Sequence, residues 1–117
     1  PGAELLRHCS ALVFHGGNGS MYQALAAGVP MLAIPTHYEQ VLNSNNGIRA
    51  GFCKRLPARK AGTPALARAI QDIIENGAYR NAATRLAETV RNTSGAVKAA
   101  DLCERAAEAG IPAGAAL

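Results

Sequence analysis

The sequence predicts an α/β fold, a short parallel sheet flanked by helices, and three observations carry that prediction. Two short apolar runs, Ala11-Leu12-Val13-Phe14 and Met31-Leu32-Ala33-Ile34, lack the polar alternation of a strand wetted on one face, so both read as strands buried on two sides. Each is followed by a segment with helical periodicity, giving the order strand, helix, strand, helix. Glycines punctuate the changeovers, at His15-Gly16-Gly17-Asn18-Gly19-Ser20 after the first run and at Gly28-Val29-Pro30 before the second. Together these describe a Rossmann-like layer in which successive strands deliver polar loops to one edge.

Taken in order, Glu4 to Ser10 reads as a short helix with Leu5, Leu6 and Cys9 on its apolar face. The strand Ala11–Phe14 then runs into the glycine-rich turn, and Ser20 stands where a helix N-cap is expected for a helix ending at Ala27. Gly28 is the expected left-handed cap, and Pro30 blocks continuation. Met31–Pro35 is the second strand, and a helix follows from Glu39 to Ala50, closed by Gly51. Phe52–Leu56 is a third, shorter strand, and Pro57–Gly62 is a loop. Thr63 as cap and Pro64 as first helical residue start the next helix, with Leu66, Ile70, Ile73 and Ile74 on one face. Asn76-Gly77 ends it. A helix from Ala78 to Asn92 aligns Tyr79, Ala83, Leu86 and Val90, and after Thr93-Ser94-Gly95 a last helix from Ala96 to Ala109 should turn Val97, Ala100 and Cys103 inward. Residues 1–110 thus form one domain, and 111–117 read as a flexible C-terminal tail.

At 117 residues the chain suffices for one domain with a modest core. No apolar run approaches the roughly 18 residues of a membrane helix, and nothing resembles a signal peptide. The formal charge of +4 fits a diphosphate site without specifying one. Arg49, Lys54, Arg55, Arg59 and Lys60 form the dense basic stretch, read first as a solvated surface around a turn, with an anionic membrane surface as the alternative. Nucleic acid is disfavoured because no repeated aromatic interleaving of the charges occurs, Phe52 being the one aromatic among them. Cys9, Cys53 and Cys103 are odd in number, far apart and in no metal-ligand spacing, so they read as small buried apolar residues in a reducing cytoplasm, with no metal site.

The chemistry concentrates in the two loops. A glycine-rich turn opening a helix offers unpaired N–H groups and the positive end of the helix dipole, which suits an anion, phosphate above all. A histidine at a strand end often only caps it, but His15 precedes two glycines, and that favours a ligand. His8 reads as a helix-surface residue, and His37 sits beside Glu39 in the second loop. Ser20 lacks the Gly-x-Ser-x-Gly elbow of a nucleophile. Glu39 is either a first-turn acid favoured by the dipole or, with Gln40 beside it, a sugar ligand. Asn43 follows Glu39 by one turn on the same face, which singles it out from Asn45 and Asn46.

His15-Gly-Gly-Asn-Gly-Ser20, Ala24-Leu-Ala-Ala-Gly-Val-Pro-Met31, Ile34-Pro35, Glu39-Gln40 and Asn43 or Asn46 together resemble the donor-binding signature of GT-B glycosyltransferases. The likeness is nearest to the UDP-glycosyltransferase and macrolide glycosyltransferase group, and is more distant to the transferase that makes lipid II. It runs from about Leu5 to Gly51, and Tyr79-Arg80 and Gly95–Ala106 also resemble that family's C-terminal tail. The resemblance implies a partial GT-B C-terminal domain. In it, His15, Gly16, Gly17, Asn18, Gly19 and Ser20 hold the donor diphosphate, and Glu39, Gln40 and Asn43 bind the donor sugar. Gln23 stands where plant-type members carry a glutamate that grips both ribose hydroxyls. An amide can bond a hydroxyl without charge assistance, so UDP- and dTDP-linked donors both stay open.

The same resemblance implies a nucleotide-diphosphate sugar as substrate, with no cofactor and no metal, since no Asp-x-Asp motif occurs. It places the acceptor's general base in an N-terminal domain that is missing here, so this chain supplies no catalytic base and should bind donor yet transfer poorly alone. Two alternatives stand beside it: the donor-binding subunit of a two-chain glycosyltransferase, and a non-catalytic nucleotide- or phosphate-sensing module. Three strands make half of a nucleotide-binding layer. An exposed sheet edge, a homo-oligomer or partner chain, or a structural compensation is therefore expected.

Overall fold

Three strands of three residues each, β1 (Leu12–Phe14), β2 (Met31–Ala33) and β3 (Cys53–Arg55), form one parallel sheet in that order in the computed structural model, which describes residues 1–110. Leu12 pairs with Met31 and Phe14 with Ala33, and Met31 pairs with Cys53 and Ala33 with Arg55. The flanking helices are α1 (Gly2–Leu6), α2 (Asn18–Ala26), α3 (Tyr38–Ala50), α4 (Pro64–Glu75), α5 (Gly77–Asn92) and α6 (Gly95–Glu108), with a 3₁₀ turn at Ala58–Lys60. The expected short parallel sheet flanked by helices is therefore present. The segment 111–117, expected to be a flexible tail, lies outside the described residues.

The sheet is buried from both sides, which is why β2 reads as a continuous apolar run. Met31 and Ala33 point into a cluster with Phe14, Met21, Ala24 and Leu25 of α2, Leu6 of α1, and Ala82 and Ala83 of α5. Leu32, one residue out of phase, faces the other way, toward Leu56 and toward Ala69 and Ile73 of α4. All three residues of β2 are fully buried. β1 has a neighbour on one side only, and its Val13 is 43% exposed. Alanines at 24, 82, 83 and 87 form the buried α2–α5 contact, and their small side chains let the two helices approach closely.

Helix boundaries follow local chemistry. Thr63 Oγ1 accepts from the Ala65 N–H at 3.3 Å with Pro64 as first helical residue. Asn76 Oδ1 accepts from the Ala78 N–H at 3.2 Å and Ser94 Oγ from the Val97 N–H at 3.3 Å, so each caps the helix that follows it. Gly28 (φ +70°) and Gly51 (φ +88°) take the left-handed conformation at the ends of α2 and α3. Arg80 ties α5 to the amino edge of the sheet: its guanidinium donates to the carbonyls of Ser10 (2.7 Å), Cys9 (3.3 Å) and Gly28 (3.3 Å). Two of the five residues of the basic stretch are engaged locally. Lys54 pairs with Asp72, and Arg55 donates to Asn45 Oδ1 and Ser44 Oγ.

The structure departs from expectation in several places. α1 covers Gly2–Leu6 instead of Glu4–Ser10, because successive bonds from the N–H groups of Arg7, His8 and Cys9 to carbonyls three residues back tighten and end it. Ile74 is 51% exposed and so leaves the buried stripe of α4. α6 does not turn Val97, Ala100 and Cys103 inward. All three are exposed, and Ala106 is its one buried residue. A helical stripe identifies an apolar face but not what covers it. Cys103 is accordingly an exposed thiol, whereas Cys53 is buried and Cys9 half-buried.

Candidate functional site

β1 and β2 end at the same edge of the sheet, and their loops meet there. His15 leaves the end of β1 as an exposed side chain, its ring edge-on to Phe14 at 6.4 Å between centroids. Gly16 is buried at φ +99°, a conformation side chains rarely adopt, and a Cβ there would lie 2.9 Å from the Gln40 carbonyl oxygen. At Gly17 a Cβ would lie 2.6 Å from His15 Nε2, so the imidazole folds back over the glycine. Gly16 must be glycine for this turn to close, whereas a side chain at Gly17 would only displace the imidazole.

Gly17, with φ −71° and ψ 141°, is the N-cap of α2, and the first intrahelical bond runs from the Met21 N–H to the Gly17 carbonyl at 3.1 Å. The N–H groups of Asn18, Gly19 and Ser20 therefore precede the helical ladder, and no side chain among the described residues caps them. Ser20 is thus not the N-cap; it sits in the first turn, half-buried, because Asn18 and Gly19 enter the helix ahead of it. Asn18 and Gly19 are exposed, and nothing lies within 4 Å of the place a Gly19 Cβ would occupy. The mouth of the loop is open.

The second loop is organised by Gln40. Its Oε1 accepts from the Thr36 N–H (2.9 Å), Thr36 Oγ1 (3.2 Å) and the His37 N–H (3.3 Å), which joins the start of α3 to the end of the β2 loop. Among the described residues the amide nitrogen of Gln40 carries no such bond, so what it offers a ligand is a donor. Glu39, exposed in the first turn of α3, offers only acceptors when ionised. His37 is the N-cap residue of α3, which gives its backbone a structural place in the loop. The N-termini of α2 and α3 both face this edge, so the two positive helix ends converge there.

Asn43, half-buried one turn further along α3, donates from Nδ2 to the Gly16 carbonyl at 3.1 Å. Sequence reading brought Asn43 to the site but had no signal for this link, which spans 27 positions. Gln23 lies in the second turn of α2, exposed, with its Oε1 3.3 Å from where a Cβ on Gly2 would stand. It borders a cavity of about 220 Å³ that Ala3, Arg7, Ala26, Ala27 and Arg91 also line, and neither arginine was anticipated. Burial pushes the thiol of Cys53, in β3, up to about 11, which keeps it neutral. Among the described residues no helix is long and apolar enough to cross a membrane.

Comparison with known proteins supplies the family and the fold. Residues 1–112 match the family described as erythromycin biosynthesis protein CIII-like, C-terminal domain. A PGL/p-HBAD biosynthesis glycosyltransferase of Mycobacterium tuberculosis is 34% identical over 88 residues, covering 75% of this chain and 21% of that protein. The NDP-glycosyltransferase YjiC of Bacillus subtilis is 30% identical over 100 residues, 86% of this chain and 26% of its own length. The solved structure of CalG4, the calicheamicin glycosyltransferase, superposes with a TM-score of 0.83 at 25% identity, over 96% of this chain and 29% of that one. The chain thus spans between about a fifth and a third of the length of the relatives it matches.

Proposed function

This chain belongs to the erythromycin biosynthesis protein CIII-like C-terminal domain family, a GT-B glycosyltransferase fold, and from that premise we propose that its sheet edge holds a nucleotide-diphosphate sugar for hexosyl transfer. The observation that carries the reading is the open turn ahead of α2, where unpaired N–H groups, a positive helix end and His15 converge beside Glu39 and Gln40. In this reading His15 and the amides of Gly17, Asn18, Gly19 and Ser20 carry the diphosphate. As the anomeric carbon gains oxocarbenium character, the same groups stabilise negative charge on the leaving nucleotide, the step at which fixed donors act most strongly. Glu39 accepts hydrogen bonds from sugar hydroxyls, and Gln40 donates to one. Gln23 receives a ribose hydroxyl, which suits either a UDP- or a dTDP-linked donor. The acceptor and its base come from the part of the enzyme beyond this chain. The three free cysteines support a reducing, cytoplasmic setting.

Calorimetric titration with UDP, dTDP and their glucose conjugates tests this reading. His15→Ala should weaken all four ligands by a common factor. Glu39→Ala should remove only the extra affinity of the sugar-bearing forms, about 1.5–3 kcal/mol for hydrogen bonds to a charged group. A wild-type chain that binds none of the four would overturn the reading. Gln23, with its uncharged amide, favours one rival, a nucleotide-sensing module. Diphosphate binding that gains nothing from the attached sugar would select that rival instead.

A further inference from the structure

Resting on the donor-binding reading, we infer that Asn43 is a positioning residue for the phosphate loop, acting through Gly16, and is not a contact to the donor sugar. Three of the six residues from His15 to Ser20 are glycine, so ordering this segment costs more backbone entropy than ordering ordinary residues would. A ligand that had to order the loop itself would bind correspondingly more weakly. The Asn43 amide removes that requirement by holding the Gly16 carbonyl at 3.1 Å from the rigid side of α3.

Among the described residues this is the one side-chain hydrogen bond to the main chain of residues 15–20. The contact is tight on both sides: Gly16 lies against the Gln40 main chain, where a Cβ would be 2.9 Å from the carbonyl oxygen and 3.1 Å from Gln40 Cβ. Asn43 is half-buried, while Glu39, one turn earlier, is exposed. α3 therefore presents two different surfaces to the site. Its first turn faces the ligand, and its second turn braces the loop that receives the diphosphate. Preorganisation of this kind raises affinity for every ligand that uses the loop, whatever sugar it carries.

The test uses the full chain and four forms of it: wild type, Asn43→Ala, Asn43→Leu and Glu39→Ala. Asn43→Leu keeps the branched outline and the number of heavy atoms without a donor, so it carries the test if the alanine variant folds poorly, as judged by circular dichroism. Each is titrated with UDP and UDP-glucose, and amide hydrogen exchange of residues 16–20 is followed without ligand. Both Asn43 variants should bind UDP and UDP-glucose about tenfold more weakly, leave the ratio of the two affinities unchanged, and exchange faster in the loop. Glu39→Ala should change the ratio and leave loop exchange alone. An Asn43 variant that collapses the ratio while UDP affinity holds would make Asn43 a sugar ligand and overturn the inference. Unchanged affinity would overturn it too. Wild-type chain that binds neither probe fails the donor reading, and the inference with it, before any variant is compared.

Discussion

Gly16 and Gly19 belong to one turn but are glycine for different reasons. Gly16 combines φ +99° with a missing Cβ that would press on the Gln40 carbonyl. Gly16→Ala should therefore lose about 2 kcal/mol or more in urea denaturation, from left-handed strain plus the clash. Gly19 stands in open space inside the first turn of α2. Gly19→Ala should keep stability within about 0.5 kcal/mol while weakening diphosphate binding, because the added methyl occupies the ligand's approach and nothing of the protein. Cys53 gives a second residue-scale expectation. Its thiol is pushed up to about 11 from 9.0, so the unfolded chain ionises it first as pH rises. Between those two values the folded state holds the extra proton, and stability falls with increasing pH by on the order of 2–3 kcal/mol. Melts at pH 8 and pH 11 should show a steeper loss of stability in wild type than in Cys53→Ala, which keeps the smaller loss from the Lys54–Asp72 pair. At this scale the sequence made His15, Glu39 and Gln40 legible, since their neighbours in the chain supplied the context. It could not show that Asn43 bonds Gly16, since that pairing exists only once α3 packs beside the loop.

Between elements, α3 and β3 approach closely. A Cβ on Gly47 would lie 2.7 Å from Cys53 Cβ and 3.0 Å from Phe52 Cε2, so the helix rests directly on the strand. Gly47→Ala should destabilise the fold by about 1–3 kcal/mol through overpacking, despite the better helix propensity of alanine, and chemical denaturation will read it. The alternation of apolar runs and glycine stops placed all three strands and located most helices to within a few residues. Strong local chemistry set the sharpest boundaries, as at Thr63-Pro64, Gly28 and Gly51. Weak or competing signals set the poorest. Ser20 is a good capping residue, but Gly17 in an extended conformation takes that role and lets Asn18 and Gly19 into α2. α1 ends at Leu6 because the chain must turn to reach β1, which no local pattern of its residues encodes.

For the whole molecule, the least legible property was what each apolar face meets. The stripe on α5 is covered by α2 and the sheet, yet the stripe on α6 leaves Val97 59% and Leu102 54% exposed. Periodicity is the same in both cases, and only the tertiary arrangement distinguishes them. Because α6 buries little, removing residues 95 onward should leave the urea midpoint of the core nearly unchanged. The principal extents are 58 × 28 × 26 Å and the radius of gyration is 17.1 Å, against about 13 Å for a compact chain of this length. Small-angle scattering should return the larger value, and the truncated chain should move toward the smaller. This elongation also bears on how association is judged. A body twice as long as it is wide meets more friction than a sphere of equal mass, so a column will report a single 12.1 kDa chain as something heavier. Light scattering, which weighs particles irrespective of their outline, is the measurement that separates a lone slender protomer from a true pair.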